Sequence, residues 1–273
     1  PQRTLVGNPA PGVDPQASYN IMPVIRNFAD PRATDPDTVS AIISNRELRT
    51  EHAQQLTAFT SAGGYQGVMI DYRDLPDDQR ASFSAFIREL SDNLRSAELK
   101  LGVIVPSAQN IDGRWQTGAY DWRTLGAAVD YLEIDFDLAP TAFAAGDDRL
   151  VESMIRWAVG EVNRYKLVGG LSTLSQREVN GQFTPVSYDD ALAPLGDVQW
   201  EVSASNQLTL SLDGFNAIPG IDTTVQTPFV EYLNENGVTA SRMWLTTGEA
   251  LRFRMDALSL FGLGGVAFPD LLN

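Results

Sequence analysis

The chain has 273 residues, of which 43% are hydrophobic, so it can bury a large core and suits one barrel-sized α/β domain. Its formal charge of −15 argues against nucleic acid as a partner, because phosphate binding needs a concentrated basic surface. It has no cysteine, which excludes disulfides and thiolate metal sites, and no apolar run approaches the length of a membrane span.

The single histidine, His52, lies in a polar helical segment, and we expect it on the surface. That placement leaves no serine–histidine triad and no histidine-based zinc site. We therefore predict no metal and no cofactor.

Residues 1–19 are rich in Pro, Gly, Asn and Asp and predict a loop segment ahead of a folded domain over 20–273. The chain begins with Pro1 and shows no signal-like apolar segment. We expect it to be a processed product or a fragment of a longer protein.

Short apolar runs alternate with amphipathic stretches along the chain, which predicts a parallel sheet covered by helices. The amphipathic stretch over 77–99 is the clearest helix, with Phe83, Phe86, Ile87, Leu90 and Leu94 at helical spacing. Further helices are predicted over 37–43, 47–62, 124–129, 147–164 and 248–261. Strands are predicted near 21–25, 67–71, 101–105, 131–136, 166–171 and 264–268.

The rhythm changes near residue 196, and we expect a small α+β insertion over about 196–241. Two runs, 198–202 and 208–212, predict a hairpin, and 227–236 predicts a short helix. A further extended run is predicted over 242–246, ahead of the helix at 248–261.

The apolar run Val68 to Ile70 is followed by Asp71, Arg73 and Asp74, two acidic residues and one basic residue. Side chains in a strand alternate between faces, so Met69, Asp71 and Arg73 share one face. If that face points into a barrel, a carboxylate and a guanidinium lie together at the end of the strand, where such barrels place their sites. This pair can bind a polar ligand or brace the fold, but arginine cannot donate a proton.

Six segments in order resemble glycoside hydrolase family 18, the chitinase-like barrels, and most closely the branch with spore-cortex and peptidoglycan hydrolases. The resemblance runs from about residue 20 to the end and is carried by 22–28, 64–71, 100–106, 118–122, 129–137 and 242–268. It implies a TIM-type (β/α)8 barrel. The six recognisable strands would be the third to the eighth, with the first two upstream in a longer product or supplied by another chain.

The family's catalytic motif is Asp-Gly-x-Asp-x-Asp-x-Glu, in which the Glu protonates the leaving oxygen. The preceding Asp steadies the substrate's own N-acetyl group, which acts as the nucleophile. Carried over, the motif begins at Gln66 and Gly67, and Met69 replaces its second Asp. Asp71 falls on the motif's third Asp, the one that precedes the Glu and is retained here, and Arg73 replaces the Glu.

Two further parts of the family's site differ. The Met-x-Tyr-Asp strand end corresponds to Ile134–Asp137, so Phe136 replaces the tyrosine. Ala267 and the residues after it stand where the family has a tryptophan under the sugar. The resemblance thus implies that the family's chemistry is lost.

Two acids could replace the lost Glu. We expect Asp74 to cap the following turn or helix. We expect Glu133 to point toward the helix layer, on the assumption that Ile134 and Phe136 line the barrel.

The ligand-binding candidates are the polar and aromatic residues that follow the strands, together with one tryptophan of the hairpin: Asn27, Phe28, Asp71, Arg73, Asp74, Asp137 and Trp200. Trp115, Tyr120 and Trp122 lie after a strand, where a sugar could stack on them. We expect these three to pack the loop onto the helices instead.

The first hypothesis is a non-catalytic module, extracellular or on the bacterial cell envelope, that binds a glycan containing N-acetylglucosamine or serves a structural role. The second is an active glycosidase that uses Asp71 with Asp137 or Asp74. The third is an architectural subunit of an extracellular assembly, with another chain covering the first strands.

Overall fold

The computed structural model describes residues 19–29, 33–136, 139–144, 150–195, 198–202, 208–212 and 216–270. With strands numbered along the chain, the main sheet contains β1 Val24–Arg26, β2 Gly67–Asp71, β3 Lys100–Pro106, β6 Tyr131–Asp135, β7 Leu167–Gly170 and β15 Gly265–Ala267. Its six strands are parallel and follow the order β1-β2-β3-β6-β7-β15. They confirm the six predicted strands, since each is a short apolar run between turn-forming segments. Closure into an eight-stranded barrel stays a prediction.

Helices follow the strands as the apolar spacing predicts. Their bounds are α1 Pro36–Ser44, α2 Arg46–Ala62, α3 Arg80–Ser96, α4 Trp122–Ala128, α5 Leu150–Glu161, α6 Tyr188–Leu192 and α7 Gly248–Ser259. Asp35 and Asn45 cap α1 and α2 by accepting hydrogen bonds from backbone amides of the first turn. The five predicted apolar residues of α3 are fully buried.

A second sheet is antiparallel and has five strands. Its members are β8 Ser175–Val179, β9 Gln182–Val186, β12 Ala217–Asp222, β13 Thr227–Leu233 and β14 Thr239–Trp244, in the order β12-β13-β14-β8-β9. The helix predicted over 227–236 is therefore wrong. Thr227, Val230 and Tyr232 are buried in β13, which pairs with a strand on each side, so sheet pairing overrides local helix propensity.

Two hairpins complete the described structure. The predicted pair of runs forms β10 Val198–Val202 and β11 Leu208–Leu212, which pair antiparallel. The loop before α4 contains a small hairpin that the sequence analysis did not predict, β4 Gln109–Ile111 with β5 Arg114–Gln116. The domain boundaries at 1–19 and 20–273, and the insertion over 196–241, stay predictions.

The described residues form two compact units. One contains the residues up to Asp135 together with Trp157–Val168 and Leu263–Gly265, and the other contains Phe136–Arg156, Gly169–Gly262 and the residues after Val266. In the first unit, helices pack on strands β2, β3 and β6. In the second, Val230 and Tyr232 of β13 and Met243 of β14 pack with Ala191 of α6 and form a core on the antiparallel sheet.

Candidate functional site

The two faces of β2 have opposite characters, as the alternation predicts. Val68 and Ile70 are fully buried, and Tyr72 just beyond the strand is nearly so. On the other face Met69 lies against Gly102 of β3, its register partner, where a Cβ would come within 2.0 Å of the Met69 sulfur. The bare surface of Gly102 therefore makes room for Met69, and Asp71 follows on the same face.

Asp71 is held by two guanidinium groups. Arg73 Nε and Nη2 donate to its two carboxylate oxygens at 2.9 and 3.1 Å, which makes a bidentate fork. Arg26 is the register partner of Asp71 on β1, and its Nε lies 3.5 Å from Oδ2. The Asp71 side chain is 2% exposed, so both of its oxygens are committed to these cations.

Arg73 links Asp71 to the neighbouring strands. Its Nη2 lies 3.0 Å from Asp135 Oδ2, at the end of β6. Its guanidinium carbon lies 4.9 Å from the centre of the Phe28 ring, a cation–π distance. Asn27 accepts a hydrogen bond from the Arg73 amide at 2.8 Å and donates to the Arg73 carbonyl at 3.0 Å. The structure thus brings four of the predicted residues together: Asn27, Phe28, Asp71 and Arg73.

The position of Glu133 contradicts the prediction that this side chain points toward the helix layer. Leu132 and Ile134 are fully buried, and the alternation puts Glu133 and Asp135 on the opposite face of the strand. Asp135 reaches Arg73, so this is the face of Asp71, and Glu133 lies close enough to interact with Asp71 and both arginines. Glu133 therefore faces the site and not the helix layer. The assumption that Ile134 lines the barrel was wrong.

The surroundings of Glu133 raise its pKa to about 7. Burial is the largest cause, since Glu133 is only 8% exposed, and the negative charges of Asp135 and Asp71 add to it. Arg26 and Arg73 act in the opposite direction. These two cations are already matched by two carboxylates, so a third buried carboxylate favours its neutral form.

Asp74 does not cap a helix. It adopts a positive φ of 58°, and its Oδ2 accepts a hydrogen bond from Thr34 at 2.7 Å. The following 3-10 turn, Asp77–Gln79, has no side-chain cap. Asp74 is exposed and ties two loops together, so the predicted capping role was wrong.

The remaining predicted residues lie elsewhere or outside the described part. Gln66 lies at the other end of β2, where its Oε1 accepts a hydrogen bond from the Ile21 amide at 2.7 Å. Phe136, which we predict to replace the family's tyrosine, is buried and contacts the Phe143 ring edge-on. Asp137 and the side chain of Trp200 lie outside the described residues.

His52 is half-buried and not on the surface as predicted. Its Nε2 lies 2.6 Å from the Tyr72 hydroxyl, and its ring stacks on Phe86 with 5.4 Å between centroids. Burial lowers the pKa of His52. The polar helical pattern around His52 does not reveal this contact, because it depends on the packing of α2 on α3.

Among the cavities that open on described residues, three are lined by neither Asp71 nor Arg73. One, of about 220 Å³, lies beside His52 and Tyr72. A second, of about 340 Å³, is bordered by Trp115, Trp122 and Trp157, and a third lies beside Phe143. Within the ranges that the structure describes, no group of acidic or histidine side chains could hold a metal ion. No described helix is long and apolar enough to cross a membrane.

No protein-family model matches the chain. Among curated proteins it is 23% identical to the Bacillus subtilis protein YdhD, named as a sporulation-specific glycosylase, over 239 residues. The match covers 84% of this chain and 52% of YdhD. The chain spans about half the length of the curated relatives it matches.

Solved structures agree with this similarity. The YdhD crystal structure matches with a TM-score of 0.69 at 20% identity, over 90% of this chain and 79% of that one. A chitinase from Chromobacterium violaceum matches with a TM-score of 0.68 at 22% identity, over 91% of this chain and 74% of that one. The spore cortex-lytic enzyme SleL of Bacillus megaterium matches with a TM-score of 0.67 at 15% identity, over 91% of this chain and 55% of that one. The chain has the chitinase-like fold of glycoside hydrolase family 18, as predicted.

Proposed function

We propose that this chain is a non-catalytic glycan-binding module with a chitinase-like fold. The observation that carries the proposal is the fork between Arg73 and Asp71. Arg73 stands where the family's motif has its proton donor, and a guanidinium keeps its protons at any physiological pH. General acid catalysis is therefore absent from that position.

The state of Asp71 supports the same conclusion. A carboxylate that steadies a reacting acetamido group needs a free oxygen facing the substrate. Both oxygens of Asp71 are committed to arginines, and its side chain is 2% exposed. Asp71 is therefore a structural anchor for two cations.

The outer part of the same cluster suits a polar ligand. The side chains of Arg26, Arg73 and Asp135 are 42%, 32% and 20% exposed, so they offer both donors and acceptors to solvent. Sugar hydroxyls donate and accept hydrogen bonds and can satisfy both kinds of group. The relatives named for glycosylase, chitinase and cortex-lytic functions favour a glycan that contains N-acetylglucosamine and a place outside the cell or in its envelope.

Titration calorimetry with chitohexaose tests the binding site. We expect Arg26→Ala to weaken binding about tenfold, since it removes an exposed donor without uncovering the Arg73 fork. Arg156→Ala, an exposed arginine of α5, is the matched control and should bind as the wild type does. Equal affinity in wild type and Arg26→Ala would show that the cluster is scaffold and not a binding site.

A second function has one observation in its favour. Glu133 is a buried carboxyl with a pKa of about 7, which is the property of a general acid that works near neutral pH. An altered glycosidase could use Glu133 in place of the lost Glu. Hydrolysis of chitohexaose that Glu133→Gln abolishes would establish this function and refute the first.

A further inference from the structure

The described part of the first unit contains a cavity of about 340 Å³ whose wall is built from three tryptophans. Trp115 comes from β5, Trp122 from the start of α4 and Trp157 from α5. Trp122 is fully buried, whereas Trp115 and Trp157 are half-buried. Two of the three indole rings that bound the cavity, those of Trp115 and Trp157, thus keep part of their surface accessible.

The three rings support one another. Trp115 and Trp157 stack with centroids 6.0 Å apart and planes inclined by 22°. Trp122 lies against Trp157 at 5.3 Å and backs it from the protein interior. The rings already stack on one another, so a ligand that stacks on them would lose less free energy to ordering the side chains.

Charged groups surround the aromatic wall. Arg123 forms a bidentate pair with Glu161 at 2.9 and 3.0 Å. Arg80 donates to the Thr117 hydroxyl at 3.2 Å and to the Gly118 carbonyl at 2.8 Å. Two guanidiniums thus line the cavity together with two carboxylates that pair with them, Glu161 with Arg123 and Asp121 with Arg80.

Asp77 adds an acceptor at this rim. It lines the cavity, its side chain is exposed, and it forms no ion pair with any residue that the structure describes. A ligand hydroxyl could donate to Asp77 while it accepts from Arg80.

Aromatic faces next to hydrogen-bond donors and acceptors match a pyranose ring. Its C–H face is apolar enough to lie on an indole, and its equatorial hydroxyls both donate and accept. A cationic ligand also suits tryptophan, and the cavity lining carries two arginines and three carboxylates. Arg123 pairs with Glu161 and Arg80 with Asp121, so Asp77 is the carboxylate left to accept from a ligand, and a saccharide hydroxyl supplies such a donor.

We propose that the tryptophan cavity is a saccharide-binding site distinct from the Asp71 cluster. Asp71, Arg73 and Glu133 do not line it, so it does not depend on the function proposed above. A site of this kind would hold a glycan strand on the surface of the first unit whether or not the chain hydrolyses it.

Fluorine NMR of the 5-fluorotryptophan protein tests the proposal directly, because the five tryptophans of the chain give separate reporters. Chitohexaose and cellohexaose are titrated in turn, and single Trp→Phe variants assign the resonances. We expect the Trp115 and Trp157 resonances to shift on titration while that of Trp244, in the second sheet, does not. The same shifts should persist in Arg26→Ala, which separates this site from the Asp71 cluster.

Affinity measurements complete the test. We expect Trp115→Ala to weaken saccharide binding at the cavity about tenfold, since it removes one stacking face. Tyr165→Ala, which removes a 75%-exposed aromatic side chain away from the cavity, is the matched control. Trp115 and Trp157 resonances that stay fixed up to the solubility limit of both sugars would overturn the proposal, as would unchanged affinity in Trp115→Ala.

Discussion

At the residue scale, the balance of charges around Asp71 determines what the cluster can do. Arg26 and Arg73 supply two positive charges, and Asp71 and Asp135 match them. Glu133 is a third carboxyl in the same place and is nearly buried, so its negative form is disfavoured. The cluster is thus neutral when Glu133 holds its proton.

Glu133 predicts a pH dependence of stability. Its pKa is raised from an ordinary value of 4.5 to about 7, so the folded state binds the proton more tightly than the unfolded state does. The tighter proton binding stabilises the folded state fully below pH 4.5, and this stabilisation is lost as the pH rises through about 7. We expect Glu133→Gln to be more stable than wild type at pH 8, by on the order of 3 kcal/mol, with the difference vanishing near pH 4.5.

Urea unfolding at a series of pH values measures this difference. Glu235→Gln, in the exposed turn between β13 and β14, is the control and should follow the wild-type curve at every pH. A Glu133→Gln variant that runs parallel to wild type from pH 4.5 to 8 would mean that Glu133 is charged in the folded protein.

Removal of the Arg73 side chain is expected to lower the stability of the folded protein. Its removal leaves Asp135 without this partner and Asp71 with Arg26 alone, while Asp71 stays buried. We expect Arg73→Ala to lower the free energy of unfolding by about 2–4 kcal/mol, because a partly solvated network loses less than a fully buried pair. Arg73→Lys keeps the charge but loses the fork, and should fall in between.

Denaturant titration of both variants is the measurement. If Arg73→Ala is as stable as wild type, the fork does not brace the strands, and Arg73 would be held ready for a ligand instead.

The sequence predicted only part of this site. The two-residue period of β2 was enough to put Asp71 and Arg73 on one face, because its opposite face is uniformly apolar. The same period does not decide which face of β6 points toward the site, because either face could be buried. Only the register of β6 with β3 and the contact of Asp135 with Arg73 decide it. Arg26 was missed altogether, since its role depends on the pairing of β1 with β2.

At the element scale, two hairpin turns have clear local sequence signals, whereas strand β13 has none. The Asp112-Gly113 and Asn180-Gly181 pairs both adopt positive φ and turn the β4–β5 and β8–β9 hairpins. These dipeptides are among the strongest hairpin signals in a sequence, so both hairpins could have been predicted. The strand β13 could not, because its pairing partners are distant in sequence.

Gly67 sets how closely β2 and β3 approach. A Cβ at this position would lie 2.3 Å from the Lys100 carbonyl oxygen, which is backbone and cannot move aside. We expect Gly67→Ala to destabilise the fold by about 2–4 kcal/mol through strain on the sheet. Thermal and urea unfolding provide the values.

Gly160 is the matched control for Gly67. It lies in α5, and a Cβ there would meet nothing within 4 Å. Gly160→Ala should stabilise the protein by up to about 1 kcal/mol, since alanine favours a helix. Equal effects of the two substitutions would contradict the tight approach of β2 and β3.

At the scale of the whole molecule, the chain has a chitinase-like fold, and we propose that Arg73 stands where that family has its catalytic acid. Fold and activity are separable in this way, because the chemistry depends on a few side chains at the strand ends. The fold was predictable from sequence because six strand motifs appear in the right order. The absence of activity stays a proposal that rests on the geometry around Asp71.

The most direct measurement is mass spectrometry of chitohexaose and of peptidoglycan sacculi after long incubation with the purified wild-type chain. We predict that no shortened glycan forms under conditions where the chain binds chitohexaose. Shortened products that disappear in Glu133→Gln would contradict this, and would assign Glu133 the proton transfer that Arg73 cannot perform.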